Sequence, residues 1–220
     1  MTDSKLEERK ERARKINREL KKLFPKAKVA LNYKNPLELL VAVILSAQST
    51  DKKINEITKD LFKKYKTADD YANAIPAEFE QDIYQSGFYR NKTKNIIGAA
   101  KAIKETFGGK VPRTMTEMLT LPGVARKTAN IVLANAYDVV EGIGVDTHVA
   151  RLAQKLDLTD HKDPVKIERD LMEIMPRSEW KDFNHRIVLY GREFCPRRKH
   201  KDCDKHPLTK VYPKAVNIWP

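Results

Sequence analysis

The chain has 220 residues, and 43 lysines and arginines against 30 acids give it a formal net charge of +13. At 41% hydrophobic and 33% charged it has the composition of a globular protein, and its cationic excess is what a surface that meets phosphate carries, more than what a merely lysine-rich protein needs. The longest apolar run, LLVAVIL from Leu39 to Leu45, is too short to span a bilayer.

The start of the chain, MTDSKLEERKERARKINREL, lacks the apolar core of a signal peptide. Two cysteines, Cys195 and Cys203, do not make a secreted disulfide framework. A cytoplasmic, nucleoid-associated protein with no membrane contact is expected.

Every convincing segment has helical period, and none shows sustained alternation of period two. A charged amphipathic helix is predicted from Ser4 to Phe24. Asn35-Pro36 caps a buried helix, LELLVAVILSA, with proline at its favoured first position. Thr50-Asp51 opens the next, Pro76 opens one that stops at Gly87, and Asn91 to Phe107 forms a longer one ended by Gly108-Gly109. Thr114 and Glu117 read as a capping box for a short helix ending at Pro122-Gly123. Further helices open at Asp146 and at Asp163-Pro164, and a last one spans Glu179 to Phe194. The fold class expected is all-α, roughly ten helices on short loops.

The stretch MLTLPGVARKTANIVL reads as helix, tight turn, helix. Gly123 supplies a turn conformation that bulky residues avoid, and the following helix starts with its backbone N–H groups exposed, a ready anion site. Arg126 and Lys127 fall in its first turn, where a cation is disfavoured by a few tenths to about 1 kcal/mol. A DNA phosphate at that terminus would reverse the local field; a plain helical corner with two solvated cations is the competing reading. In GIGVDTHVARL, a glycine-rich loop delivers Asp146 to another helix start, with Thr147 and His148 behind it. Taken singly, Asp146 reads as an N-cap worth about 1 kcal/mol.

The hairpin resembles the helix-hairpin-helix motif, which binds the DNA backbone without reading sequence. The motif's second glycine is here Ala125, whose methyl group would hold a phosphate slightly farther away. LPGVARKTA followed by VDTHV is similar to the endonuclease III branch of the helix-hairpin-helix DNA glycosylases. The likeness extends through LELLVAVILSAQSTD, SGFYRNKTKNI and LYGREFC, and covers roughly Leu31 to Tyr212.

The resemblance implies removal of damaged bases, oxidised pyrimidines foremost, from double-stranded DNA, then cleavage at the resulting abasic site. In that family the lysine matching Lys127 is the nucleophile and the aspartate matching Asp146 assists it. An attacking amine must shed its proton, and the helix terminus, Arg126 and partial burial are expected to disfavour its ammonium form. Asp146 would stabilise the cationic sugar and shuttle a proton. A base attacked at its sugar carbon must first be flipped out. By resemblance Gln48 fills the gap and Phe88 wedges the opposite strand; an inert loop residue and a core anchor are the plainer roles for them. Gly123, Val124, Ala125, Arg126, Thr128 and His148 are the remaining DNA contacts implied. Asn91 and Lys92 lie near enough in sequence to touch phosphates, without being assigned that role. A mismatch-specific glycosylase on the same skeleton and a non-catalytic DNA-binding relic are the rival functions.

Relatives usually carry four cysteines spaced C-x6-C-x2-C-x5-C around a [4Fe–4S] cluster. Here Cys195 and Cys203 have seven residues between them, and His206 and Tyr212 stand where the other two thiolates would be. Such a set suits an iron–sulfur cluster poorly, so no cofactor is expected. Packing by Tyr190, Tyr212 and Trp219 would replace it. Zinc at Cys195, His200, Cys203 and His206 is the alternative.

The resemblance also implies two helical lobes with a DNA cleft between them: residues 30–139 carrying the hairpin, and residues 1–29 with 140–220. A monomer is expected.

Overall fold

The computed structural model describes residues 3–195 and 206–216. All regular elements among them are helical, and the chain divides into two compact units, Ala30–Glu141 and Met1–Val29 with Gly142–Pro220.

The unit from Ala30 to Glu141 is built on α2 (Pro36–Leu45), whose residues Leu39 to Leu45 are all buried. Asn35 caps it, its Oδ1 accepting from the Glu38 N–H at 2.9 Å. A helix apolar on every side has to sit inside its neighbours; α2 packs against α3 (Asp51–Lys64), α6 (Tyr89–Thr106) and α8 (Arg126–Ala136). Burial of each leucine there contributes about 1.5–3 kcal/mol. α4 (Ala68–Ala72) lies against α6, and α5 (Pro76–Ile83) closes over an aromatic cluster in which Tyr65 stacks on Tyr71 and both meet the Phe79 ring edge-on. α7 (Met115–Met118) precedes the hairpin turn.

The second unit packs α1 (Asp3–Leu23) against α10 (Pro164–Ile174), α11 (Trp180–Glu193) and α12 (Pro207–Val211), with α9 (Thr147–Lys155) against α10 and α11. Ala13, Ile16 and Leu20 of α1 are fully buried. So is Arg9, at 1% exposure, because its guanidinium is met by Asp157 and Asp160, each at 2.8 Å.

Helix starts mostly follow the expected caps: Thr50, Thr114, Asp146 and Asp163 each accept a backbone N–H from the first turn that follows. Three details differ. The Glu117 carboxylate accepts the Thr114 hydroxyl at 2.8 Å, so the pair forms a one-sided cap where a reciprocal box was expected. α7 stops at Met118, and an irregular turn carries the chain on to Gly123. α6 begins at Tyr89, two residues before the expected Asn91, because Phe88 takes a left-handed conformation that sets the helix start.

Candidate active site

The hairpin turn is fixed from below by α6. A Cβ on Gly98 would lie 3.2 Å from Pro122, so only glycine or a slight shift lets the turn sit this close. Gly123 has φ +75°, and a Cβ there would fall 2.6 Å from Asn95. Both conformation and contact therefore demand glycine at 123. Val124 is buried, and its N–H bonds the Leu121 carbonyl at 3.1 Å, closing the turn.

The chain then enters α8 through Ala125, in extended conformation, and Ala125 offers no side-chain cap where α2, α3 and α9 have Asn, Thr and Asp. A helix start whose N-cap residue has no polar side chain is the kind of terminus that suits an outside anion. Arg126 and Lys127 occupy the first two positions of α8, and Thr128 the third. Lys127 is exposed, so the partial burial expected for it is not supplied by the protein alone.

Asp146 is the N-cap of α9, its Oδ1 accepting from the N–H groups of His148 at 2.8 Å and Val149 at 2.9 Å. Both bonds fall on one carboxylate oxygen. The His148 ring packs on Gly191 of α11, where a Cβ would come within 2.8 Å of Nδ1. Burial pushes the His148 imidazole below its ordinary value, and nearby Asp146 offsets that only in part. His148 is therefore held into its own unit as much as it is offered outward.

Gln48 and Phe88 share an uncommon backbone. Gln48, in the turn between α2 and α3, has φ 56°, and Phe88 has φ 48°. Left-handed residues other than glycine, asparagine or aspartate are uncommon, and such strain collects at functional positions. Gln48 is exposed and Phe88 is 65% exposed, which removes the core-anchor reading of that phenylalanine.

Lys92 does not face solvent phosphate. It is only 4% exposed, and its Nζ donates to the Ser86 carbonyl at 2.7 Å. Burial pushes its ammonium down to about 8. Sequence reading missed this role, since a lysine in a charged helix normally reads as solvated. It missed Asn95 beneath Gly123 as well, for nothing in the sequence pairs them.

Gln48, Phe88, Gly123 to Thr128 and Lys127 all belong to the unit Ala30–Glu141, and Asp146 and His148 to the other. At the degenerate cluster positions, Cys195 is buried and the Tyr212 ring lies 4.4 Å from the Arg12 guanidinium, with its hydroxyl 3.5 Å from Asp157. Burial raises the Tyr212 phenol above its ordinary value, and Asp157 adds to this. A protonated phenol turned to a carboxylate is a poor replacement for a thiolate, so these residues do not fit the cluster. Tyr190 accepts the Leu208 N–H at 3.2 Å and stacks on Phe194. His200, Cys203 and Trp219 lie outside the described residues.

Residues 41–177 match the model of the HhH-GPD superfamily base excision DNA repair proteins. An endonuclease III of a Synechocystis species is 48% identical over 211 residues, 96% of each chain. Among solved structures, a non-covalent endonuclease III–DNA complex is similar with a TM-score of 0.89 at 40% identity, covering 94% of this chain and 97% of that one. A trapped endonuclease III–DNA covalent intermediate is similar with a TM-score of 0.87 at 41% identity, covering 92% and 94%. The chain belongs to the helix-hairpin-helix superfamily of base excision DNA repair proteins and, within it, to the endonuclease III family.

Proposed function

We propose that this base excision repair enzyme, a DNA glycosylase and abasic-site lyase, works through an imine on Lys127. Its substrate is duplex DNA carrying damaged bases, oxidised pyrimidines foremost, or abasic sites, and it acts as a monomer in the cytoplasmic nucleoid. The observation that carries the reading is the exposed Lys127 in the first turn of a helix whose N-cap residue, Ala125, brings no capping side chain, directly after the Gly123 turn.

DNA backbone phosphate docks at the α8 N-terminus, against Val124, Ala125, Arg126 and Thr128. Gln48 takes the gap left by the flipped base, and Phe88 enters from the opposite strand as an apolar wedge. His148 adds a contact beside Asp146. Duplex covering the exposed Lys127 excludes water from it and sets its amine against the anomeric carbon.

That amine attacks the anomeric carbon, and the base leaves with the bonding electron pair and takes up a proton. The nitrogen then sheds one proton, and the ring oxygen leaves the anomeric carbon with its bonding pair and takes up a proton, which gives a protonated imine to the ring-opened sugar. Removal of a proton from the neighbouring sugar carbon then expels the 3′ phosphate. Asp146 stabilises the cationic sugar as the base departs and relays the proton. Neither step calls on an iron–sulfur cluster, and the chain carries none in this reading. Elemental analysis tests that point: two or more irons per chain would overturn it, and one zinc would point to Cys195, His200, Cys203 and His206.

Borohydride trapping on a duplex with one abasic site is the decisive experiment. Wild type is expected to form a covalent adduct and Lys127→Ala none. Adducts with both would move the chemistry to another amine.

A further inference from the structure

The wedge loop has a support that the reaction scheme does not use. Phe88 is largely exposed on a left-handed backbone, and Gly87 before it has φ 69° and ψ 156°, a region open essentially to glycine. Such a loop holds one shape only if its surroundings fix it. On the N-terminal side the fixing point is Ser86, the last residue of the short 3-10 turn Tyr84–Ser86 and itself buried. The Ser86 carbonyl receives the Lys92 ammonium at 2.7 Å, and the Lys92 backbone N–H bonds the Phe88 carbonyl at 3.1 Å. Residue 92 thus holds the loop by its side chain ahead of the wedge and by its backbone at Phe88 itself, and only the first of these bonds depends on lysine. A second tie is looser: Lys53 of α3 donates to the Gln85 side chain at 3.1 Å, and both residues are near the surface.

A buried cation needs a reason. Its desolvation opposes folding, and an apolar side chain of the same length would fill the same space without that cost. A long cationic side chain can nevertheless reach back six positions and hold a carbonyl in place, as Lys92 does at Ser86. We propose that Lys92 is the positioning residue for the Phe88 wedge, holding the Ser86–Phe88 loop in the geometry that enters duplex DNA. The inference rests on the reading of Phe88 as a wedge.

The test compares abasic-site cleavage on duplex and on single-stranded oligonucleotide, since a wedge matters only where an opposite strand exists. Lys92→Met is expected to lower kcat/KM on duplex by about tenfold, as a displaced contact group does. On the single strand it should stay within about twofold. Lys92→Arg, which keeps a donor, should retain most of the duplex rate. Lys92→Gln, too short to span to Ser86, runs beside the methionine variant in case that one folds poorly. In a Phe88→Ala background the Lys92→Met change should add less than about twofold, because the two then act through one element.

Equal losses on both substrates, or losses that multiply with Phe88→Ala, would overturn the proposal and leave Lys92 a folding residue. Full duplex activity in Phe88→Ala alone would instead remove the wedge reading, and the proposal with it.

Discussion

Gly123 is the residue whose replacement tests the hairpin most directly. Its φ of +75° alone costs an L-residue about 1–3 kcal/mol. The new Cβ would also meet Asn95 at 2.6 Å, against the root of that side chain and not its flexible end. Gly123→Ala is therefore expected to lower the thermal midpoint by several degrees, at about 2–4 °C per kcal/mol for a chain of this size. Its affinity for a duplex with an abasic-site analogue should fall further than stability explains; a calorimetric scan beside a binding titration reads both. Ala125 lies two residues on with no such constraint, exposed and with φ −91°. Ala125→Gly costs at most about 1 kcal/mol in chain entropy and lets a phosphate approach the α8 terminus more closely. Tighter DNA binding is expected, and unchanged affinity would contradict a phosphate at that point.

At the scale of the element, α9 poses the question its first residue raised in the sequence, for Asp146 does cap the helix. Asparagine caps a helix nearly as well as aspartate, whereas alanine costs about 1 kcal/mol. Asp146→Asn should keep the unfolding midpoint and still lose at least about tenfold in base excision, because an amide cannot carry the negative charge that stabilises a cationic sugar. Single-turnover excision together with a melting curve separates the two roles; an asparagine variant with full activity would reduce Asp146 to a cap. Cap chemistry was also the most legible feature of the chain. Asn35, Thr50, Asp146 and Asp163 mark helix starts because their short oxygen-bearing side chains reach first-turn N–H groups. α4 escaped, although Thr67 and Asp70 close a reciprocal box there, since five residues are too few to show a helical period. The start of α6 was misplaced for a different reason: it depends on the left-handed Phe88, and only glycine advertises that conformation in a sequence.

Across the whole molecule, pattern singled out the residues proposed to react and concealed the contacts that support the loops around them. Lys127 and Asp146 stand in motifs whose local chemistry is unusual, while Lys92 over Ser86 and Asn95 under Gly123 are meetings that only the folded chain creates. The same holds for charge, since the sequence counts cations and histidines without saying which are buried. Burial pushes His148 and His185 below their ordinary values, so the folded protein resists protons that the unfolded chain accepts. Their contribution is thus full above about pH 6.5 and is lost as pH falls toward the lowered folded values. Asp160 acts in a lower window. Lys5, then Arg9, holds its carboxylate down at about 2, so its contribution persists above the ordinary aspartate range and disappears as pH falls toward that value. Net charge of +13 adds self-repulsion that grows with every proton taken up. Salt separates these causes, because it screens charges on the surface far more than the cost of placing a proton on a buried ring. Denaturant unfolding at about pH 7.5 and about pH 5.5 is expected to show lower stability at the acid value even in high salt, and His185→Gln should shrink that difference. Stability equal at the two values once salt is high would assign the acid loss to repulsion and leave the two imidazoles without a part in it.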